Sequence, residues 1–131
     1  MSADLHTAVA RVYDPPSSTL GQRVLVDRLW PRGVRSDTDR FDVWLKGVAP
    51  TTELRRWYGH RPERFAEFSK RYREELTGGP SLPHLLELEE MARAGPITLV
   101  TATRDLSLSA AMILAAVLDQ RLGRSNTLPS T

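Results

Sequence analysis

The strongest constraint on the fold of this chain is an apolar run that changes abruptly into charged residues. Residues 24–33 read Val-Leu-Val-Asp-Arg-Leu-Trp-Pro-Arg-Gly. The apolar, β-branched start predicts a buried strand, which we place at residues 24–29. Because an unpaired charge is costly inside a protein, Asp27, Arg28 and Arg32 are expected where the chain leaves the interior. The segment therefore predicts a strand that ends at a site.

Two other short runs have the composition of strands. Residues 8–13 predict the first strand, and residues 97–101 predict an interior strand because they are apolar and rich in β-branched side chains. Too few residues separate the first two strands for a helical crossover. The sequence therefore favours an antiparallel pair or two strands that are not neighbours in the sheet.

A capping pattern followed by helical spacing predicts the first helix. Ser36 and Asp39 resemble a capping box, and the helix is expected to end near Pro50. Apolar residues recur between them at i, i+3, i+4 and i+7, as an amphipathic helix requires. These residues are Phe41, Trp44, Leu45 and Val48.

Four more helices are predicted downstream. One begins at a cap on Thr51 or Thr52 and ends at Gly59, and the next opens at Pro62. The latter places four apolar residues on one face: Phe65, Phe68, Tyr72 and Leu76. The last two cover residues 83–94 and 105–122. The pattern is that of an α/β domain with a small mixed or parallel sheet of about three or more strands, flanked by about five helices.

Length and composition predict one domain. The chain has 131 residues, and we assign residues 8–122 to the domain, 1–7 to a flexible N-terminus and 123–131 to a disordered tail. A hydrophobic content of 40% and a charged content of 26% are typical of a soluble globular protein. No apolar run approaches the ~20 residues that span a bilayer, so we expect a cytoplasmic protein without a membrane partner. The chain has no cysteine, which excludes disulfides and thiolate chemistry.

The charge distribution favours an anionic partner. The formal net charge is only +2, but residues 28–73 contain twelve Lys or Arg and six Asp or Glu. Such a local surplus suits a phosphorylated metabolite or a polynucleotide backbone. The alternative is a solvated helical surface with interspersed counter-charges.

The candidate site combines the ends of two predicted strands. In open α/β sheets, ligands bind beyond the carboxyl ends of the strands. If the strands are parallel, Arg28, Arg32 and Asp105 face one crevice. An arginine fork matches a carboxylate or phosphate, so Arg28 and Arg32 are expected to bind the ligand beside Asp27. A structural ion pair to a nearby aspartate is the alternative for Arg28.

Several other residues are secondary candidates. His60 is the natural general acid or base, with Asp105, because histidine exchanges protons near neutral pH; the alternative is a capping role. Lys46 and Arg55 are expected either to bind phosphate or to stabilise helix ends.

Trp30, Trp44 and Trp57 are candidates for an aromatic wall on which a base stacks. Trp44 has the spacing of a core residue, so packing is favoured there, whereas Trp30 and Trp57 remain open. The three histidines are scattered, which predicts no metal site.

The chain also resembles a known family at many matched positions. The resemblance spans residues 11–105 and includes the motifs Arg-Val-Tyr-Asp at 11–14, residues 24–33, Trp-Leu-Lys at 44–46 and Gly-His at 59–60. On these residues the chain resembles the YeaO-like branch of the domain-of-unknown-function 488 family. The resemblance implies fold and site but no chemistry.

The chain departs from the family pattern at two places. Family members usually carry an Asn-His or similar polar pair where this chain has Ser109 and Ala110. They commonly have aspartate where this chain has Arg61. If the lost pair is catalytic, this member binds its ligand without turning it over.

Three functions therefore remain open. The first is a protein that binds a small anionic, phosphorylated or nucleotide-like ligand in an arginine-rich crevice, with or without acid–base catalysis. The second is a nucleic-acid-associated module that uses the basic middle segment. The third is a homodimeric scaffold. The sequence leaves the cofactor, the enzymatic status and the choice between monomer and homodimer undefined.

Overall fold

A computed structural model describes residues 7–19 and 21–124. In this part of the chain there are four strands and four α-helices. The strands are β1 (Ala8–Arg11), β2 (Gln22–Leu25), β3 (Val43–Trp44) and β4 (Ile97–Thr101). The helices are α1 (Thr52–Tyr58), α2 (Phe65–Gly78), α3 (Leu82–Ala94) and α4 (Ala110–Arg121). The fold class is α/β, as the sequence predicts. Most of the segments predicted to be flexible or disordered, 1–7 and 123–131, lie outside the described residues.

The four strands form one parallel sheet in the order β1-β4-β2-β3. β4 lies between β1 and β2, so these two strands are not neighbours, and the antiparallel alternative is wrong. Every residue of β4 is buried, as expected for an interior strand with a continuous apolar sequence. β2 ends at Leu25, although the hydrogen bond from Val26 N to Val100 O at 3.1 Å continues the ladder by one residue. Asp27 and Arg28 therefore follow the carboxyl end of the strand.

The first predicted helix is wrong. Val43 and Trp44 instead form the edge strand β3, paired with Val24 and Leu25 of β2. A short 3-10 turn, Lys46–Val48, follows. The Asp42 carboxylate accepts a hydrogen bond from Arg23 N at 2.8 Å, which holds the start of β3 beside β2. This pairing overrides the helical spacing of the apolar side chains.

The other predicted helices are present with shifted ends. Thr51 caps α1, since its Oγ1 accepts from Leu54 N at 3.2 Å, and α1 ends at Gly59. A 3-10 turn at Pro62–Arg64 leads into α2. The last helix begins at Ala110 rather than near Asp105, because residues 106–108 form a separate 3-10 turn.

The two faces of the sheet are covered differently. The main core lies between one face and all four helices and includes Val24, Leu99, Phe68, Leu88 and Leu114. The opposite face carries a smaller cluster of Ala10, Val12, Leu25 and Val100, which is covered by aromatic residues of loops and β3. These aromatic residues are Tyr13, Phe41 and Trp44. None of the helices in the described residues has the length and apolar character needed to cross a membrane.

Candidate functional site

A cavity of about 440 Å³ lies beyond the carboxyl ends of β2 and β4. Its walls include the loop after β2, residues of α1 and the start of α4. Six predicted site residues line it: Asp27, Arg28, Trp30, Arg32, Arg55 and His60. We call it the arginine cavity, after Arg28, Arg32 and Arg55. A cleft of about 300 Å³, which contains the predicted residue Asp105, adjoins it.

Asp27 joins the ends of the two central strands. Its Oδ1 accepts from Thr101 Oγ1 at 2.6 Å, and its Oδ2 accepts from Ala102 N at 2.8 Å. Burial raises the pKa of Asp27, although these two hydrogen bonds and the nearby charge of His60 act in the opposite direction. Both oxygens of the carboxyl group are thus engaged at the end of β4, which holds Asp27 in place at the base of the cavity.

Arg28 is fixed by backbone carbonyl groups. Its Nε donates to Pro50 O at 2.9 Å, and its Nη2 donates to Ala49 O at 3.1 Å. Within the described part of the chain it forms no ion pair, so the alternative of a structural ion pair with a nearby aspartate is not found. The guanidinium keeps its full charge at the cavity wall while the carbonyls set its orientation.

Arg32 is exposed at the rim of the cavity. Its carbonyl accepts from the Tyr13 hydroxyl at 2.9 Å, which fixes the backbone and leaves the guanidinium without a protein partner among residues 7–19 and 21–124. Gly33 has a φ of 78°, in the left-handed region that favours glycine, and a Cβ there would touch nothing within 4 Å. Gly33 is therefore required by the backbone conformation of the turn and not by a close contact.

Arg55 projects from α1 and is partly buried. Its Nε is fully shielded from solvent and has no hydrogen-bond partner. A buried donor without an acceptor is unfavourable in a folded protein. Together with Arg28 and Arg32, it gives the cavity three cations, none of which is ion-paired with a described carboxylate.

His60 lies where the arginine cavity meets the adjoining cleft, and it lines both. It is exposed, with a φ of 57°, which is uncommon for a residue other than glycine. Asp105 lines only the cleft, and its Oδ1 accepts from both Ser107 N at 3.0 Å and Ser107 Oγ at 2.6 Å. Asp105 thus caps the 3-10 turn that precedes α4.

The sequence-based site omits the start of α4 and two tyrosines. Ser109 and Ala110 line the arginine cavity, as do Tyr13 and Tyr58. The Ser109 hydroxyl donates to Leu106 O at 2.7 Å and accepts from Met112 N at 3.1 Å, so it is committed to capping the helix. The departure from the family pattern at 109 and 110 was the signal for this wall. Here the helix presents its amino-terminal end to the cavity.

Two residues that the sequence predicts to contact the ligand lie outside the arginine cavity. Lys46 is exposed outside the cavity, with its Nζ 4.9 Å from the ring centroid of Trp44. Trp57 lies outside as well, and its ring contacts the guanidinium groups of Arg64, 5.0 Å from the centroid, and Arg71, 4.4 Å from the centroid.

The three tryptophans therefore do not form one wall. Only Trp30 lines the cavity, with 39% of its surface exposed and its ring edge-on to Trp44 at 5.4 Å. Trp44 packs behind it, and its Nε1 donates to Asp27 O at 2.8 Å. In the described ranges, no group of three or more potential ligand side chains is arranged to hold a metal ion.

The fold and this site define a small parallel α/β protein with an arginine-lined cavity at the carboxyl edge of its sheet. A family model described as "Inactive DUF488-N3 subclade" matches residues 6–131. The chain belongs to this DUF488 subclade. The YeaO-like relationship is confirmed by 36% identity over 108 residues to the uncharacterized protein YeaO of Escherichia coli K12, covering 80% of this chain and 90% of YeaO.

Mycobacterial relatives are more similar. An uncharacterized protein of Mycobacterium tuberculosis, Rv3073c, is 47% identical over 121 residues, covering 92% of this chain and 100% of the relative. An uncharacterized protein of Mycobacterium bovis, Mb3100c, matches with the same identity and coverage. No solved structure matches the chain.

Proposed function

We propose that this protein binds a small anionic ligand, phosphorylated or nucleotide-like, in the arginine cavity without turning it over. The observation that carries the proposal is that Arg28, Arg32 and Arg55 line one cavity and none is ion-paired with a described carboxylate. Three cations in a partly enclosed space repel one another, and a bound anion relieves that repulsion.

Each wall of the cavity has a part in the proposed complex. Arg55 and Arg32 supply donors that no described residue uses, and Arg28 adds charge from a fixed position. The amino-terminal end of α4 favours negative charge at Ala110. Trp30 offers a partly exposed aromatic surface at the rim, which suits the ring of a nucleotide.

Binding without turnover follows from two observations. The matched subclade is described as inactive. Ala110, at the amino-terminal end of α4, supplies no acid or base where the family pattern has a polar pair. His60 lines the cavity and carries an imidazole, the side chain that most often transfers protons in enzymes, so it is the residue to change if turnover is found.

The test is a thermal-shift and calorimetry panel of nucleotides, sugar phosphates, inorganic anions and short oligonucleotides. Any ligand of the native state raises the melting temperature by mass action. We expect a shift with a small phosphorylated compound that Arg32→Ala abolishes. Arg35→Ala is the matched control, because Arg35 lies on the same loop, outside the cavity, in an exposed pair with Asp37.

The same panel separates the other functions. A shift with oligonucleotides alone, lost at moderate salt, would replace the proposal with the nucleic-acid module, because phosphate-backbone binding weakens steeply as salt rises. No shift with any compound would contradict the proposal and leave the homodimeric scaffold, which sedimentation would then test.

A further inference from the structure

The arginine cavity and the adjoining cleft share part of their lining. Five residues line both spaces, so the two spaces lie side by side, and we call the pair the groove. The shared residues are Tyr58, His60, Ala102, Thr103 and Leu108. The residues that belong to the cleft alone are Arg104 and Asp105, and we call it the Arg104 cleft.

Arg104 and Asp105 do not form an ion pair with each other. Arg104 is exposed and forms no hydrogen bond or ion pair within residues 7–19 and 21–124. The Asp105 Oδ1 accepts both hydrogen bonds from Ser107, whereas its Oδ2 accepts none from the described residues. The cleft therefore presents one free cationic donor and one free carboxylate acceptor side by side.

The charges of the two parts of the groove differ. The arginine cavity sets three arginines against Asp27, which suits a dianionic phosphate monoester. The Arg104 cleft sets one arginine against one aspartate, which suits a singly charged phosphodiester next to a hydroxyl or amino group. A chain of two nucleotides with a terminal phosphate carries these groups in this order.

We propose, on the basis of the proposed function, that the groove takes a 5′-phosphorylated dinucleotide. The terminal phosphate binds in the arginine cavity, and the second nucleotide passes His60 into the Arg104 cleft. There Arg104 donates to the linking phosphodiester, and Asp105 Oδ2 accepts from a ribose hydroxyl or a base amino group. The cleft thus makes the affinity for a dinucleotide higher than that for a mononucleotide.

The test compares AMP with 5′-phosphorylated diadenylate by calorimetry on the full chain. We expect the dinucleotide to bind about tenfold more tightly than AMP, and Arg104→Ala to remove most of that advantage while AMP affinity stays unchanged. The control is Arg56→Ala, which changes an exposed arginine that lines neither space. It should leave both affinities unchanged.

Each contrary result has a defined meaning. Equal affinities for the two compounds, or a dinucleotide affinity that Arg104→Ala leaves unchanged, would overturn the two-part groove and leave the proposed function standing. Binding of neither compound, when no other phosphorylated compound binds either, would overturn both. A melting curve of the Arg104→Ala variant without ligand checks that it is folded.

Discussion

Replacement of Arg55 by methionine should stabilise the protein while it abolishes ligand binding. In the structure, the Arg55 Nε is shielded from solvent and unpartnered, and such a donor costs about 1–3 kcal/mol. Methionine keeps much of the side-chain volume and removes the donor. Because the rest of the guanidinium lines an open cavity, we expect the lower part of that range, about 1 kcal/mol gained. The melting temperature should rise by roughly 4 °C.

Arg28→Met is the matched comparison because Arg28 lines the same cavity but its Nε is hydrogen-bonded, unlike the Nε of Arg55. Its loss removes two hydrogen bonds, to Ala49 O and Pro50 O, and should cost about 1–3 kcal/mol. Urea unfolding of both variants, followed by circular dichroism, measures the two changes against the wild type. If Arg55→Met lowers the free energy of unfolding as much as Arg28→Met does, Arg55 is a structural residue and the reasoning fails.

Three further predictions concern the fold. Asp27→Asn should flatten the pH dependence of stability. Because the pKa of Asp27 is raised in the folded protein, its contribution to stability is full below its ordinary pKa of 3.8 and is lost as pH rises through the folded pKa. Melting temperatures that depend on pH in the same way in both proteins from pH 3 to 8 would refute this. Thr51→Ala should cost about 1–2 kcal/mol in urea unfolding, because it loses the α1 cap and the 2.7 Å bond to Glu75 Oε2; an unchanged midpoint would count against it. Tyr72→Phe should cost about 1–2 kcal/mol, since it leaves the buried Val48 carbonyl without its 2.7 Å donor; thermal unfolding within error of wild type would contradict this.

Elements with a local signal could be predicted from the sequence. The run at residues 97–101 is β4, the cap at Thr51 begins α1, and Phe68, Tyr72 and Leu76 form the buried face of α2. In each case the apolar period or the capping residue acts within a few positions along the chain.

Long-range pairings could not be predicted in the same way. The insertion of β4 between β1 and β2 joins segments that lie far apart in the sequence, as in the pairing of Leu25 with Val100. β3 was missed because the spacing of its neighbours fits a helix, while the pairing of Trp44 with Leu25 depends on a sheet edge that the local sequence does not reveal.

The site was predictable where it follows a strand. Asp27, Arg28 and Arg32 lie beyond β2, as the rule for parallel sheets requires. Lys46 lies outside the cavity because its position was inferred from the end of a helix that does not exist. Trp57 was proposed for the aromatic wall as an aromatic residue, and the sequence does not reveal that its ring contacts Arg64 and Arg71 instead. The wall at Ala110 carries no charged or aromatic side chain, so the departure from the family pattern at residues 109 and 110 was the signal that pointed to it.

A ¹⁵N-edited NMR titration with AMP shows directly whether an anion binds in the arginine cavity. An anion held in the arginine cavity should shift the backbone amides of Ala102, Thr103 and Ala110 and the Nε–H of Arg55, while the amide of Gly79, far along the chain and outside the cavity, stays still. Shifts confined to the exposed face of α2, or no shifts at concentrations that saturate the thermal response, would contradict the account.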